Sequence, residues 1–294
     1  MNRILEALVS GLAQAAPLFL GASGLTLIFG VMRTFDFAYG ALFMFGAYGL
    51  STILSGDAVS LPTFLLAVLA TGIAVSVLAG AAEVTVYRRL LKRDHIITLL
   101  GSYALLLVFT GSATLIWGPE AKSQSQTRDL AGAVSVFGAK VASYDLGLIG
   151  LGLVVGLGLW ALLRRTRLGL EMRAVAHDRT TAVALGVRAG RVTPVVFALG
   201  GLLAGIAGAV SAPLYAINVD LAGSFILQGF IVVIIGGLGS VQGALVASLL
   251  LGVVNGVLVV YAPDVSSFSL YLVTAAVLVL RPQGLFGTPE KAIA

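Results

Sequence analysis

Long apolar runs separated by short polar stretches make up most of this 294-residue chain. A helix that crosses a membrane needs roughly 20 mostly apolar residues, and six runs approach or exceed that length: 8–32, 62–86, 96–117, 146–163, 193–211 and 241–261. Three further runs are shorter or interrupted: 37–55, 223–239 and 268–280. The pattern predicts an all-α polytopic membrane protein, a bundle of eight or nine transmembrane helices with interrupted or re-entrant segments.

Composition supports the same fold class. Hydrophobic residues account for 59% of the chain and charged residues for 11%, whereas soluble domains carry about 25% charged residues. The apolar runs leave no room for a separate soluble domain, so residues 1–294 are predicted to form a single transmembrane domain. The chain has no cysteine and only two histidines, His95 and His177. No catalytic site, metal site or cofactor of its own is therefore predicted.

The distribution of Lys and Arg predicts which loops face the cytoplasm, because short cytoplasmic loops are enriched in these residues. The loop 88–93 is basic, seven arginines lie between 164 and 191, and Arg281 follows the last apolar run. These regions share one side if the spans alternate, which predicts a cytoplasmic C-terminus. Nine spans would place the N-terminus outside, and eight would place it inside. The net charge of +5 reflects this distribution and predicts no nucleic-acid partner.

The polar loop 118–145 is predicted to lie on the outer face, because its basic and acidic residues balance. Within it, apolar and polar positions alternate over 133–136 and 140–142. This alternation predicts a small β-hairpin that turns across Phe137-Gly138-Ala139.

The charged segment 164–192 is predicted to form a cytoplasmic helix over 170–185. Thr166 is the predicted N-cap, and Gly186 supplies a stop. A second short helix is predicted to start near Arg188, before Pro194 opens the next span. A basic loop that only fixes topology is the alternative, but such a loop needs no capped helix. The segment is therefore predicted to be a docking surface for a cytoplasmic partner.

Polar residues within or beside the apolar runs form a second group of candidates, because such residues are costly in hydrocarbon. Asp36 and Glu83 are the acids nearest the runs, and Arg33 could pair with Asp36. These charges either line a cytoplasmic gate or form an ion pair at a helix break. Four neutral residues could line a polar pathway or join helices by hydrogen bonds: Asn218, Gln228, Gln242 and Asn255.

Two apolar runs are interrupted near glycine, at 35–40 and at 236–240. Paired interruptions in the two halves of a transporter point to its binding region, and Gly237 is the candidate residue in the second. Ordinary span ends with glycine caps are the alternative. Glycine pairs at four-residue spacing, such as Gly201 and Gly205, further predict closely packed helices.

The cytoplasmic segment and the span after it carry residues in the order and spacing of a known family. They are Arg173-Ala174-Val175-Ala176, Asp178, Ala182, Leu185-Gly186-Val187, Phe197-Ala198-Leu199-Gly200 and Leu203-Ala204-Gly205-Ile206-Ala207-Gly208. Other matching stretches are Gly24-Leu25, 28–33, Phe37-Ala38-Tyr39-Gly40, Gly46-Ala47-Tyr48, 236–240 and 281–287. Along nearly its whole length the chain resembles the permease subunits of the branched-chain amino acid ABC importers.

Two departures from that family pattern lie near the expected pathway or its cytoplasmic mouth. Asp36-Phe37-Ala38-Tyr39-Gly40 stands where the family usually has Asn-Phe-Ala-His-Gly, and the basic run 87–93 lacks a proline. These differences raise the question of whether the substrate is the usual one.

The resemblance implies half of a translocation pathway for branched-chain or other hydrophobic amino acids, or a similar small polar solute, in the bacterial cytoplasmic membrane. It implies as partners two cytoplasmic ATPase subunits, a second permease (identical or homologous), an external substrate-binding protein and membrane lipid. The chain has no phosphate-binding Gly-Lys-Ser/Thr loop, so ATP would be bound by the partner subunits and the chain would not be an enzyme.

The candidate site residues form two groups, the first assigned by the resemblance and the second by polarity at membrane depth and by the glycine interruptions. The ATPase-coupling group is Glu171, Arg173, Ala174, Ala176, His177, Asp178 and Gly186. The candidates for the translocation pathway or its gate are Arg33, Asp36, Tyr39, Glu83, Asn218, Gln228, Gly237, Gln242 and Asn255.

Two other functions are weighed against this one. An ion-coupled secondary transporter needs ionisable groups in mid-membrane, and the apolar runs from 96 to 117 and from 193 to 280 have almost none. A membrane-embedded enzyme needs a nucleophile with its base, or two acids, at one depth, and no such pair lies in two facing spans.

Overall fold

The computed structural model describes residues 2–91, 93–136, 139–266 and 268–286, and it is almost entirely helical within those ranges. The helices are α1 (Asn2–Met32), α2 (Tyr39–Leu54), α3 (Leu61–Ala82), α4 (Arg88–Leu90), α5 (His95–Trp117), α6 (Ser143–Arg165), α7 (Arg167–His177), α8 (Arg179–Ala184), α9 (Ala189–Ser211), α10 (Asp220–Gly236), α11 (Val241–Tyr261), α12 (Pro263–Ser266) and α13 (Ser269–Leu280). A π-helical turn, Glu83–Tyr87, joins α3 to α4, and a 3-10 turn spans Arg128–Leu130.

Six helical segments within the described ranges are long and apolar enough to cross a membrane, which makes the chain a multi-pass membrane protein. Five of them are α1, α5, α6, α9 and α11, and the sixth is the continuous helical segment Leu61–Leu90 formed by α3, the π-turn and α4. Three apolar helices are shorter, namely α2, α10 and α13. Each predicted apolar run therefore folds as a helix, and the number of crossings depends on these three.

The predicted β-hairpin is confirmed. Strands β1 (Ala133–Val136) and β2 (Ala139–Ala142) pair antiparallel, with Ala133 opposite Ala142 and Val136 opposite Ala139. The predicted turn residues Phe137 and Gly138 lie outside the described residues. The helix α6 starts at Ser143, so the loop is slightly shorter than the predicted 118–145.

The loops gather at two opposite ends of the bundle. The basic end is defined by loops 33–38, 88–94, 166–188, 237–240 and 281–286. There Thr34 Oγ1 lies 2.7 Å from His95 Nδ1. The hairpin end is defined by the described residues of the connections 55–60, 118–142, 212–219 and 262–268. There the Lys122 N–H donates to the Ile217 carbonyl at 2.9 Å.

The centre of the bundle is formed by α1, α2 and α9, which pack closely because glycines face each other. A Cβ at Gly46 would overlap the Gly205 carbonyl oxygen of α9, and one at Gly208 would overlap the Phe43 carbonyl oxygen of α2. Small residues at such contacts let helix backbones approach closely. The predicted close packing is therefore observed.

Candidate functional site

The charged segment 164–192, predicted to form one helix over 170–185, contains two short helices, so that prediction was wrong. The first, α7, begins after Thr166, whose hydroxyl accepts the Gly169 N–H at 3.0 Å, as predicted for an N-cap. The chain breaks at Asp178, which has φ −150° and ψ 106°. Its carboxylate accepts the Thr180 N–H at 2.9 Å and caps α8. An aspartate can either continue a helix or leave it and cap the next helix with its side chain. Asp178 does the second, so α7 ends there.

At the end of the segment, one sequence prediction is confirmed and another is wrong. Gly186 has φ +92°, and the Val187 N–H reaches back to the Ala182 carbonyl at 3.0 Å. This is the predicted glycine stop after α8. The separate short helix expected before Pro194 does not form, because α9 runs unbroken from Ala189 and places Pro194 within its second turn.

The capping carboxylate of Asp178 stays ionised at neutral pH. The Thr181 hydroxyl, together with the N–H groups of Thr181 and Thr180, holds the pKa of Asp178 below its usual range. A carboxyl whose pKa is depressed in the folded state stabilises that state above its unfolded pKa and loses this effect as pH falls. The turn at Asp178 is therefore expected to persist at physiological pH.

Arg33 connects the end of α1 to the cytoplasmic segment. It has a left-handed φ of 55°, and its guanidinium donates to the Ala176 carbonyl at 2.5 Å and the His177 carbonyl at 3.2 Å. The guanidinium thus bonds α7 rather than Asp36, the partner that one of the two alternatives considered for it. The last carbonyls of α7 carry partial negative charge and lack intrahelical donors, so they attract the cation.

Residues 167–185, which we call the α7–α8 segment, bury one face against the bundle and carry exposed apolar side chains on the other. Met172, Val175 and Ala182 are buried. Leu170 is 61% exposed and Leu185 80% exposed. These two leucines are among the apolar side chains that the segment leaves available for contact with another molecule.

Among the predicted coupling residues, Glu171, Arg173, His177 and Asp178 are exposed, whereas Ala174 and Ala176 are half-buried. The sequence reading missed the exposed leucines at 170 and 185. The sequence could have revealed them, because they are apolar residues outside the apolar stripe that an amphipathic helix buries.

The loop 33–38 turns back into the bundle at the basic end and buries Asp36. The Asp36 side chain is 2% exposed; it accepts the Tyr87 hydroxyl at 2.5 Å and the Ala38 N–H at 3.0 Å. The Tyr39 hydroxyl lies 2.8 Å from the Gly21 carbonyl, in the middle of α1. The helix α2 thus begins inside the bundle, which is why 16 residues are enough to reach the hairpin end.

The π-turn that carries Tyr87 also buries Glu83. The Glu83 side chain is 2% exposed, and its Oε2 has no hydrogen-bond partner within the described ranges. π-turns are rare and occur frequently at functional sites. The structure therefore brings Asp36, Tyr39, Glu83 and Tyr87 into the packed interior near the basic end, with Tyr87 unforeseen from the sequence.

Neutral polar side chains meet in a separate cavity between α1, α10, α11 and α13. We call this 390 Å³ space the polar cavity. The Asn255 amide donates to Gln14 Oε1 at 2.7 Å, and the Ser269 hydroxyl donates to Asn255 Oδ1 at 3.0 Å. Gln228 also lines it. The sequence reading named Gln228 and Asn255 but missed Gln14, although a glutamine inside a long apolar run is itself a signal.

The remaining pathway candidates lie elsewhere. Gly237 has φ +98° and ends α10, and the Leu285 N–H donates to the nearby Ile235 carbonyl at 2.7 Å. This interruption is therefore a glycine cap at a helix end. Gln242 is exposed at the start of α11, and Asn218 is half-buried at the hairpin end. No group of three or more His, Asp or Glu that could hold a metal occurs in the part of the chain that was described.

Comparison with known proteins gives consistent matches. A family model described as "Branched-chain amino acid transport system / permease component" matches residues 7–280. The chain is 27% identical to the high-affinity branched-chain amino acid transport system permease protein BraD of Pseudomonas aeruginosa, over 97% of this chain and 96% of that protein.

Two further relatives carry related names. The permease protein LivH of Salmonella typhimurium is 26% identical over 97% of this chain and 96% of its own length. The probable branched-chain amino acid transport permease LivH of Methanocaldococcus jannaschii is 25% identical over 94% and 90%. Among solved structures, PsaBC from Streptococcus pneumoniae in complex with Fab covers 95% of this chain and 89% of that chain at 16% identity, with a TM-score of 0.42. A TM-score this low adds nothing to the fold described above.

Proposed function

Since this chain belongs to the family of branched-chain amino acid transport system permease components, we propose that it is one half of an ATP-driven importer in the bacterial cytoplasmic membrane. The observation that carries the proposal is the α7–α8 segment, which is fastened to the bundle on one face and exposes leucines on the other. In this proposal the whole chain acts as one permease domain, and ATP is bound by separate subunits.

Two cytoplasmic ATPase subunits are the proposed partners of the α7–α8 segment, one for each permease of a pair. The chain has no phosphate-binding loop of its own. Leu170 and Leu185 would enter an apolar groove of the ATPase, with Glu171 and His177 at the rim of the contact. Because Arg33 bonds the end of α7 to the end of α1, motion of the docked segment would reach the loop that leads into α2.

The polar cavity is the proposed site of the translocation pathway. Gln228 lies midway along α10, and the neighbouring Ser224 is exposed there. An exposed polar face at this depth is unfavourable against lipid, so a second permease and a water-filled pathway would cover it. Binding of ATP would shift the population between outward-open and inward-open states of this pathway.

We further propose that all nine apolar helices cross the membrane, with the N-terminus outside and the C-terminus in the cytoplasm. The basic end carries the arginine-rich loops, which favours a cytoplasmic location. The hairpin end would then face outwards and receive a substrate-binding protein. Within the described ranges the apolar helices run alternately between the two ends, which supports an odd number of crossings.

Branched-chain or other hydrophobic amino acids are the proposed substrates, as the names of the relatives say of those proteins. The departure from the family pattern at Asp36 and Tyr39 does not argue for another cargo. Asp36 and Tyr39 are buried and bonded to Tyr87 and to backbone carbonyls, outside the polar cavity. They would affect packing of the α1–α2 loop more than contact with a solute.

Replacing an exposed leucine tests the docking proposal without disturbing the core. In the reconstituted importer, Leu185→Asp should lower substrate-stimulated ATP hydrolysis and uptake by roughly tenfold or more, because a charge would be buried in an apolar contact. Leu238→Asp is the matched control, since Leu238 is 51% exposed at the same end but lies outside the segment. Normal stimulated ATP hydrolysis by Leu185→Asp would contradict the proposal.

The ion-coupled alternative has a separate test. Uptake into proteoliposomes loaded with ATP should continue when an uncoupler collapses the proton gradient and sodium is absent. Immediate loss of uptake with ATP still present would favour a secondary transporter.

A further inference from the structure

A second cavity opens at the basic end and differs in character from the polar cavity. This space of 320 Å³, which we call the arginine-rimmed cavity, lies between α1, α6, α7 and α11. Most of its wall is apolar: Phe19, Leu27, Val31, Trp160, Leu163, Met172, Val196, Val241 and Leu245. Between Val31 and Phe19 it follows α1 for about 18 Å, at 1.5 Å per residue.

Two arginines stand at the rim of this cavity. Arg164 lies with its guanidinium carbon 5.8 Å from the centre of the Trp160 ring. Arg173 uses its Nε to reach the Gly169 carbonyl at 3.3 Å, and that bond does not use its two terminal nitrogens. No acidic side chain is among the residues that line the cavity. The positive charges of Arg164 and Arg173 therefore lie at the mouth of an apolar cavity whose lining contains no carboxylate.

Trp160 places this rim at the level of the lipid headgroups. It is 41% exposed beside the last turn of α6, and tryptophan is enriched where the membrane meets water. The long apolar wall below it then reaches into the hydrocarbon layer, while Arg164 and Arg173 remain at the depth of the lipid phosphates.

We propose that the arginine-rimmed cavity binds an anionic phospholipid. The phosphate would lie between Arg164 and Arg173, because guanidinium groups make strong charge-assisted hydrogen bonds to phosphate oxygens. One acyl chain would fill the apolar slot along α1. Basic pockets between helices on the cytoplasmic side are typical sites for anionic lipid headgroups.

The bound lipid would contact the α7–α8 segment directly, because Met172 and Ala176 of α7 form part of the wall. It would brace α7 against α1 and α6. The lipid composition of the membrane would thereby influence the position of the segment that is proposed above to dock the ATPase.

The two tryptophans of the chain make the site measurable, because Trp117 lies at the hairpin end and Trp160 in the cavity wall. The full-length Trp117→Phe variant in phosphatidylcholine vesicles therefore reports on Trp160 alone. Brominated phosphatidylglycerol should quench its fluorescence more strongly than brominated phosphatidylcholine at equal mole fraction. We expect a preference of roughly fivefold for each arginine that contacts the phosphate.

A charge-matched pair of variants separates a site from general attraction to a basic surface. The double variant Arg164→Gln with Arg173→Gln should lose the preference. The control, Arg188→Gln with Arg191→Gln, removes the same charge from the same end outside the cavity wall and should retain it. Equal loss in both would overturn the proposal in favour of diffuse attraction.

Two further outcomes would also overturn it. Weak quenching by both brominated lipids would mean that a second protein chain covers the cavity. Loss of the preference on adding millimolar glycerol phosphate or inorganic phosphate would mean that a soluble anion, and not a lipid, occupies the rim. Thermal unfolding of each variant in detergent checks that the fold is intact.

Discussion

Two helices at the centre of the bundle, α1 and α9, are about as apolar in sequence as two at its periphery, α5 and α6. The two pairs differ in how much of their surface is buried against other helices. In the apolar stretches of α1 and α9, 78% and 72% of residues are buried inside the protein, against 22% and 17% in α5 and α6. Lipid is as apolar as leucine, so hydropathy places a helix in the membrane but does not choose its neighbours.

The space around individual glycines distinguishes the central helices from the peripheral ones, although their hydropathy does not. On α9, Gly200, Gly205 and Gly208 face other helices so closely that a Cβ would meet atoms of α1, α2 or α3. On the peripheral helices, Gly111 of α5 and Gly158 of α6 would have nothing within 4 Å of an added Cβ. Glycine is therefore required for packing at these three positions of α9 and replaceable at Gly111 and Gly158.

The largest expected difference in stability is between two Gly→Ala variants, one on a central helix and one on a peripheral helix. Gly208→Ala forces α9 away from the Phe43 carbonyl of α2, and overpacking of this kind typically costs about 1–3 kcal/mol or more. Gly111→Ala should leave stability unchanged or raise it by up to about 1 kcal/mol, because alanine is the better helix former. The midpoint of thermal unfolding in detergent distinguishes them, and equal midpoints would remove the distinction between the regions.

An intermediate effect is expected from the buried hydrogen bond between Tyr87 and Asp36. Tyr87→Phe leaves the 2%-exposed Asp36 without its side-chain donor, at a cost of about 1–3 kcal/mol. The peripheral counterpart is Thr110→Val in α5, where the Thr110 hydroxyl bonds back to the Leu106 and Leu107 carbonyls of its own helix, and little change is expected. A double-mutant cycle with Asp36→Ala, which removes the acceptor, measures the pair energy, and additive effects would show that the bond contributes nothing.

The smallest effect on stability, but a clear one on transport, is expected in the polar cavity. Asn255→Leu breaks the hydrogen bonds to Gln14 and Ser269, and interhelical bonds in membranes contribute on average about 0.6 kcal/mol. If the pathway runs here, uptake should fall several-fold while the unfolding midpoint moves little. Leu249→Ile, on the exposed side of the same helix, is the control. Unchanged uptake by Asn255→Leu would move the pathway elsewhere.

Much of the cytoplasmic segment could be predicted because its signals are local. Thr166 and Gly186 act through backbone groups within four residues of themselves, and both stand where the sequence placed them. Asp178 was misjudged because an aspartate between good helix formers can face solvent or cap a new helix. Arg33 was misjudged because its partners, the carbonyls of Ala176 and His177, lie more than 140 residues away.

By itself the sequence determined that this chain is a multi-pass helical membrane protein, where its apolar helices lie and which loops are basic, because hydropathy and charge act over one helix or one loop. Only the tertiary structure decided that α2 starts inside the bundle, that Asp36 bonds Tyr87 rather than Arg33, and that Gln14 joins Asn255 in the polar cavity. These pairings depend on which helices touch, and that choice is made by close packing of glycines and by distant hydrogen bonds that no local pattern records.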